Sequence, residues 1–545
     1  LLPHLFLCEE NMKKMAFLCR LALLPLIGII ACQPQGPHYS PRVATQHADE
    51  VLPEIDFSDQ IIYLVMIDRF ANGDTSNDRG NTPASHCLYQ PGINGSEALK
   101  TYQGGDLRGV IDRLDDLHDL GVTTIWLTPV FDNSDQDYRG WWPYHGYHPV
   151  DHYRVDEHFG DLADLKELID KAHSREMRVL LDMVLNQVSY DHPWVADPVN
   201  WNEKGYKHWF HPHSFTDEST MIIDWDNQRE LERKEIARLP DFAQENPQVS
   251  RFLLDMSKEW VTLTGCDGFR LDAVRHIPKS FWRRYTHEMH NFAGNGFFLI
   301  GEVFSSQMDY LAGYGELGFD ALFDFSLHFA LGSTVANSGS PQKLRDAMAE
   351  ADRAFTGLPC LLAPFIDNHD VERLISYCQE PIRPRIESAL ILLFAQPGIP
   401  SLYYGTELLL AGGTAQDSVQ GDFLNRRNMP WQLQGDESRD LRPLIKKLCN
   451  WRRNSPALRK GERTDLLIDQ SVYAFLRRDE KETFIIAVNT SDQQVERTLE
   501  LADAPADGIV RDCLDEQYLS LQGKKLALQI PPYSCRMVNY ARTEL

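Results

Sequence analysis

Phe365-Ile366-Asp367-Asn368-His369-Asp370 follows directly on the apolar run Leu361, Leu362, Ala363, so a short buried strand ends in a knot of polar side chains. Two other stretches are built the same way. GFRLDAVRH (268–276) sets Arg270 and Asp272 at the end of one apolar strand, and FFLIGEVF (297–304) sets Glu302 at the end of another. Three strand-like runs, each finishing in a carboxylate, predict one site assembled from three strand ends.

Working outward, short apolar strands alternate with amphipathic helices from about residue 55 to 450. The predicted strands are 61–67, 123–127, 178–184, 268–271, 297–300, 321–323, 361–366 and 400–403. Between the first two, Val110, Ile111, Leu114, Leu117 and Leu120 recur at helical spacing, as do Leu162, Leu165, Leu168 and Ile169 before the third. Eight strands with helices between them suggest an α/β (β/α)8 TIM barrel, with an open doubly wound sheet as the competing solution. The count of eight favours the barrel. So does the position of the polar residues just past the carboxyl ends of the strands, where barrel enzymes carry their sites. About sixty residues after the third strand, 187–246, are rich in Trp, His, Pro and Asp with weak periodicity and read as an inserted subdomain, leaving the barrel as 55–186 and 247–452. From 453 to 545 the texture changes to alternating strands (VYAFLRRD, ETFIIAVNTS, QVERTLEL, CRMVNY), predicting a C-terminal antiparallel β-sandwich.

The chain has 545 residues, is 43% hydrophobic and carries a formal net charge of -25. That charge argues against nucleic acid and anionic membrane surfaces as partners. From Met12 the chain reads as an export signal: Lys13, Lys14 and Arg20 precede the apolar run 21–30, which is too short to span a bilayer. The run ends Ile29-Ile30-Ala31-Cys32, similar to a bacterial lipoprotein cleavage box, so Cys32 is expected to carry a lipid anchor, the only membrane contact. Residues 1–11 read as translated upstream sequence and 33–54 as a polar linker. Of ten Cys, those at 8, 19 and 32 belong to the leader; the other seven are scattered without a CxxC pair, so no zinc site or disulfide framework is readable and at least one thiol stays free.

Arg270 and Asp272 are two apart on a strand, so their side chains point the same way. A guanidinium beside a carboxylate lowers its pKa, so Asp272 is expected to stay ionised, as a covalent glycosyl-enzyme mechanism requires of its nucleophile. Glu302 follows an apolar run and neighbours other carboxylates; both raise a pKa, which suits a proton donor. Asp370 supplies a third carboxylate, and His369 a hydrogen-bonding group for sugar hydroxyls.

Together these segments resemble the α-amylase superfamily of glycoside hydrolases. DMVLNQ (182–187), GFRLDAVRH, GEVF and FIDNHD are similar, in order, to its four signatures, and the likeness extends through HGYHPVDHYRVDEHFG (145–160) and GIPSLYYGTE (398–407). The resemblance implies roles at matching positions. Asp272 would be the nucleophile, Glu302 the general acid/base and Asp370 the transition-state stabiliser, with retention by double displacement and the Asp272 and Glu302 carboxyls about 5–5.5 Å apart. Arg270 and His369 would hold the sugar, Tyr147 would stack on its ring, and Asp182 would orient the site through Arg270. His145, Gln187, Arg275 and His276 complete the implied substrate set, Arg275 on the acceptor side. Gln187 departs from the family's usual His; Gln donates and accepts hydrogen bonds but cannot become cationic.

The loop IYLVMIDRFANGDTSND with GGDL resembles a calcium loop of cyclodextrin glucanotransferases and neopullulanases. It implies Ca2+ held by Asn72, Asp74, Asn77, Asp78, the Gly104 carbonyl and Asp106. A second calcium is implied at the insert, through Asn186, Asp241 and the His276 carbonyl. The implied partner is an α-glucan. Hydrolysis of α-1,4 bonds is favoured because the chain stops after one β-domain and carries Ala237-Arg238-Leu239-Pro240-Asp241, without an aromatic, where cyclising relatives place one. The alternatives are α-glucan transfer at the same site, or a non-catalytic glucan-binding lipoprotein.

Overall fold

The computed structural model describes residues 56–80, 98–413 and 422–541. The leader with Cys32, the linker and Cys87 lie outside the described residues. Among those described, no helix is long and apolar enough to cross a membrane.

The strands, in chain order, begin with β1 (Ile62–Val65) and β2 (Thr124–Leu127). A two-stranded antiparallel hairpin, β3 (Phe131–Asn133) and β4 (Pro149–Val155), follows. Then come β5 (Arg178–Met183), β6 (Gly268–Leu271), β7 (Phe298–Gly301), β8 (Ala321–Asp324), β9 (Leu361–Pro364) and β10 (Ser401–Tyr403). Eight of these pair in parallel in the order β10-β1-β2-β5-β6-β7-β8-β9. The ring closes where Phe365 bridges Ser401 and the Ile399 N–H donates to the Leu362 carbonyl at 2.9 Å. Gly398 makes that closure feasible. It sits at φ 89°, and a Cβ there would fall 1.9 Å from the Leu362 oxygen.

All eight barrel strands coincide with the runs read from the sequence, because a parallel sheet buried on both faces is written as near-continuous apolar residues. The helix Pro247–Thr264 shows why the intervening segments terminate where they do. Asn246 caps it by accepting the Gln248 N–H, Pro247 sits at the first position, and Gly265 ends it in the left-handed conformation. The insert holds only short helices, such as Pro193–Ala196 and Gln228–Leu231. Buried Glu235 ties separate loops of the insert together, accepting from the Tyr190 hydroxyl (2.6 Å), the Ser214 N–H (2.9 Å) and the Thr220 hydroxyl (2.5 Å).

The C-terminal domain has eight strands, twice the number the sequence marked. They are β11 (Glu462–Ile468), β12 (Val472–Arg478), β13 (Glu482–Asn489), β14 (Val495–Glu500), β15 (Asp507–Asp512), β16 (Tyr518–Gln522), β17 (Lys525–Ile530) and β18 (Cys535–Ala541). They form one antiparallel sheet, β11-β12-β13-β18-β15-β16-β17-β14, which folds over a core that includes Val472, Ile485, Leu526, Leu528 and Val538. The missed strands β11, β15, β16 and β17 expose much of their length: charged residues break up the apolar signal of β11 and β15, and polar or small residues that of β16 and β17. All six described cysteines are free thiols.

Two buried arginines join the barrel to this domain. Arg452, near the end of the last barrel helix, donates to the carbonyls of Phe394 (2.9 Å), Gln396 (2.8 Å) and Gly398 and, across the junction, of Leu458 (3.2 Å), while Arg477 of β12 donates to those of Ala395 (2.6 Å) and Gly461 (2.8 Å). Both therefore bind the carbonyl-rich end of the helix Ile382–Phe394, where the dipole favours a cation. Arg477→Met would strand the buried Ala395 carbonyl at a cost of about 1–3 kcal/mol, and the half-buried Gly461 carbonyl at less. Chemical denaturation should show a loss of about 1–3 kcal/mol; a change under about 0.5 kcal/mol (roughly the scatter of neutral surface substitutions) would remove Arg477 as the pin.

Candidate active site

Strand register brings the site together. In the β5–β6 pair Asp182 lies opposite Arg270, and in β6–β7 Leu271 lies opposite Gly301, so Asp272 and Glu302 follow side by side at the carboxyl ends. The main chain continues that register: Asp272 N–H donates to the Met183 carbonyl (3.2 Å) and Glu302 N–H to that of Leu271 (3.0 Å).

Arg270 is the hub. Its Nη1 donates to Asp272 Oδ1 at 2.6 Å and to both oxygens of Asp182 at 3.1 Å, while Nη2 stands 3.8 Å from Glu302 Oε2. Asp182 also accepts from the Trp126 indole N–H (3.0 Å) and the Tyr147 hydroxyl (2.9 Å). Burial raises the Tyr147 pKa, so its proton stays on to make that bond. Glu302 Oε2 also accepts the Ala273 N–H at 3.0 Å, from a residue held at φ 49° immediately after Asp272.

His369 Nε2 lies 2.8 Å from the Tyr147 oxygen and 3.0 Å from Asp370 Oδ2. Since the Tyr147 proton points to Asp182, His369 carries its own on Nε2, shared between these two oxygens. Burial, with Arg270 and Arg426 nearby, holds the His369 pKa well below the usual value. Its ring lies parallel to that of Tyr147, centroids 5.4 Å apart. The Asp370 side chain is 33% exposed, against 13% for Asp272 and 12% for Glu302, so it is the most open of the three carboxylates.

The electrostatics correct one expectation. The pKa of Asp272 is raised, because burial outweighs the lowering effect of Arg270 and Asp370 adds repulsion. Glu302 is pushed up to about 8, first by burial and then by Asp272 and Asp370, against the pull of Arg270. Coupled carboxyls such as these share their protons. The guanidinium stands 2.6 Å from Asp272 and 3.8 Å from Glu302, so it favours the ionised form of Asp272 and biases the shared proton towards Glu302.

The other sequence-derived residues divide into two groups. His145 and Gln187 line the same corner: His145 Nδ1 accepts the Tyr147 N–H (3.1 Å), and Gln187 Nε2 donates to the Tyr147 carbonyl (3.3 Å), leaving a buried Oε1 without a partner. Arg275 and His276 instead face the insert, from the turn Val274–His276. Arg275 donates to the carbonyls of Phe304 (2.6 Å) and Trp225 (2.9 Å), and His276 Nδ1 pairs with the Leu231 carbonyl (3.3 Å). Of the aromatics near the mouth, Trp142 and Trp194 pack internally and Trp431 is bonded to the Phe70 carbonyl, whereas Phe304 and Trp225 are exposed. Sequence reading missed Trp126, Trp225, Ala273 and Arg426, each placed by register or loop path rather than by a local motif.

In the calcium-like loop, Asp106 caps the helix Leu107–Asp112. It accepts N–H groups of Gly73 (3.1 Å), Asp74 (2.8 Å) and Gly109 (2.6 Å), which ties the loop to the barrel. Asp74 Oδ1 turns to the Ser76 hydroxyl (2.6 Å), and Asn72 Nδ2 donates to Asp78 Oδ1 (2.5 Å). The amide oxygens of Asn72 and Asn77 are buried without a partner. Such acceptors fit a cation that takes oxygen ligands. Among the described residues no group of three or more His, Cys, Asp and Glu is placed to hold a metal, so amide oxygens would have to contribute. At the insert, the Asn186 amide and Asp241 Oδ1 are likewise unpartnered, while Asp241 Oδ2 is taken by His211 Nδ1 at 2.6 Å.

Residues 64–457 match the family described as alpha amylase, catalytic domain, and 466–537 the one described as maltogenic amylase, C-terminal domain. The chain is 30% identical over 524 residues to a cyclomaltodextrin glucanotransferase of Klebsiella oxytoca, covering 87% of this chain and 77% of that one. It is similar to the structure of an α-amylase from Geobacillus thermoleovorans complexed with acarbose (TM-score 0.76, 35% identity, 90% of this chain and 100% of that one). It is also similar to a cyclomaltodextrin glucanotransferase with a three-domain ABC distribution (TM-score 0.75, 28% identity, 89% and 99%).

A folded-state pKa of about 8 on Glu302 means that the native chain holds a proton the unfolded chain releases near 4.5. Its contribution to stability is complete below about 4.5 and is lost as pH rises towards 8. Glu302→Gln cannot titrate, so its stability relative to the parent should increase steadily between those pH values in denaturation experiments. A pH-independent difference would show that Glu302 is ionised in the fold.

Proposed function

Since this chain belongs to the α-amylase family, we propose that it is a retaining glycoside hydrolase cleaving α-1,4-glucosidic bonds in starch-type glucans, maltooligosaccharides or cyclodextrins by double displacement. The observation that carries this reading is the single guanidinium of Arg270, 2.6 Å from Asp272 and 3.8 Å from Glu302, beside a Glu302 whose pKa is raised to about 8. Glu302 would donate its proton to the glycosidic oxygen as the Asp272 carboxylate attacks the anomeric carbon. The carbon–oxygen bond to the leaving sugar breaks and a glycosyl ester forms. Glu302, now ionised, would take a proton from water, which attacks the same carbon and releases Asp272. Asp370 would stabilise the positive charge that develops on the sugar ring in both steps, and Tyr147 would stack against that ring.

Hydrolysis and transfer differ only in what attacks the ester. The number of domains does not choose between them, since a three-domain glucanotransferase shares this architecture. The local chemistry supports hydrolysis. Where cyclising relatives place an aromatic, the insert has Ala237 and Arg238, both in the left-handed conformation, with their carbonyls bound by the Tyr138 hydroxyl (2.9 and 3.1 Å).

We also propose that Asn72, Asn77, Asp74, Asp78, Asp106 and the Gly104 carbonyl hold Ca2+, and that the chain is an exported lipoprotein anchored at Cys32. The ion would supply cohesion between the loop after β1 and the helix Leu107–Asp112, away from the bond-breaking carboxylates.

Wild-type protein should release maltooligosaccharides of retained α configuration from starch, cyclodextrin or both, and Glu302→Gln should lower kcat at least about 1,000-fold while still binding oligosaccharide. Oligosaccharide binding without wild-type turnover would favour a binding protein, and cyclic or longer products a transferase. Chelation should lower the melting temperature. An ion present at 100 times its Kd stabilises by about 2.7 kcal/mol, so an unchanged melting temperature with no calcium in elemental analysis would refute the metal site.

A further inference from the structure

Among the described ion pairs, Arg270 serves Asp182, Asp272 and Glu302, while Asp370 is reached by a different cation, Arg426. Arg426 lies on a loop 56 positions further along the chain and is buried. Its Nη2 donates to Asp370 Oδ1 at 3.0 Å and its Nε to the His369 main-chain carbonyl at 3.0 Å. The second oxygen of Asp370, Oδ2, faces His369 Nε2 at 3.0 Å. Each oxygen of the most exposed carboxylate in the site is therefore held, one by the guanidinium and the other by the imidazole.

We infer that Arg426 is a positioning residue for Asp370: one planar guanidinium fixes the carboxylate and, at the same time, the main chain that carries it. A guanidinium suits this task because its donors lie in a rigid plane, so two bonds set an orientation as well as a distance. The restraint matters for Asp370 in particular. Its side chain is far more open to water than those of Asp272 and Glu302, and the strand β9 ends at Pro364, several residues before it. Without a clamp from outside the strand, a carboxylate on that loop would sample several rotamers. Charge stabilisation works only when the dipole or charge is already aimed at the place where the transition state develops its own. Arg426 also adds to burial in keeping the imidazoles of His145, His148 and His369 neutral. A neutral His369 carries one N–H, which the geometry directs at Asp370 and Tyr147.

The inference rests on the hydrolytic reading above, and kinetics can separate the two. Arg426→Met and Arg426→Lys would be assayed on a maltooligosaccharide in the parent and in an Asp370→Asn background, with melting temperatures alongside. Arg426→Met should lower kcat about 10- to 100-fold, the scale of a misplaced catalytic group, with KM changed less than about threefold. Lys, which keeps the charge but not the planar pair of donors, should recover part of that loss. In the Asp370→Asn background, removing Arg426 should change the residual kcat less than about twofold, because the group it positions is already gone. A kcat within twofold of the parent in Arg426→Met, or equal losses in both backgrounds, would overturn the inference while leaving hydrolysis intact. Should the Met variant fail to fold, Arg426→Gln, which still donates to the His369 carbonyl, is judged by the same criteria. Absence of turnover in the parent would overturn the hydrolytic reading and the positioning role with it.

Discussion

One buried cation makes this site possible. Arg270 is almost wholly inaccessible, and three carboxylates, Asp182, Asp272 and Glu302, converge on it within 3.8 Å. Carboxylates in such a place would ordinarily take up protons, since burial and mutual repulsion both favour the neutral form. A single guanidinium can balance some of that negative charge but not all of it. Asp182 accepts from Arg270, Trp126 and Tyr147, yet complete burial still pushes its pKa up to about 7. Asp272 has the shortest contact with the cation. Towards Glu302, the furthest away, the shared proton is biased. A division of roles between chemically similar groups thus follows from three distances to one side chain. The faces of Trp126 and Tyr147, 4.9 and 6.0 Å from the guanidinium carbon, offset part of its own desolvation.

That arrangement is inherited from the barrel rather than made by the loops. Parallel pairing sets Asp182 opposite Arg270, and side-chain alternation points Arg270 and Asp272 the same way. A slip of one residue in the β5–β6 pair would reverse every side chain of the strand and dissolve the network. Closure at Gly398 and the arginine pins behind the helix Ile382–Phe394 therefore bear on chemistry as well as stability, because they fix the strand on which FIDNHD is displayed. The insert contributes by a different route. Arg275 ties the Trp225 carbonyl of the insert to the Phe304 carbonyl two residues beyond Glu302, so one side chain bonds the outer wall to the acid-bearing loop.

The parts of this structure that could be read in advance are those where burial leaves a local signature. The eight barrel strands are buried on both faces and stand out as apolar runs, and the carboxylates at their ends interrupt those runs abruptly. What escaped were features whose cause is not local. Strands such as β16 and β17 are short and alternate exposed with buried residues, so neither shows a continuous apolar run. Arg426 meets Asp370 only because a distant loop folds back across the barrel mouth. Ala273 looks unremarkable in the sequence, yet its left-handed backbone supplies an N–H to Glu302. The expectation that Arg270 would depress the Asp272 pKa failed because it weighed one neighbouring charge and left out desolvation, which is the larger effect in a pocket this dry.

The same electrostatics bear on Gln187, which stands where relatives usually carry a histidine. A histidine brings two properties that a glutamine lacks, an aromatic ring and the capacity for charge. In this pocket the second is not in use. His145, His148 and His369 are all driven below the normal imidazole pKa, chiefly by burial and in addition by Arg426. Position 187 is buried beside them, so an imidazole there would face the same penalty and remain neutral. A neutral imidazole offers one donor and one acceptor; Gln187 offers an amide donor, already engaged with the Tyr147 carbonyl, and an unpartnered Oε1. Its open valence is thus an acceptor, suited to a sugar hydroxyl that donates. On this argument the exchange preserves the charge of the site and alters the direction of one hydrogen bond, so its consequence belongs to which hydroxyl is recognised rather than to whether the carboxylates can act.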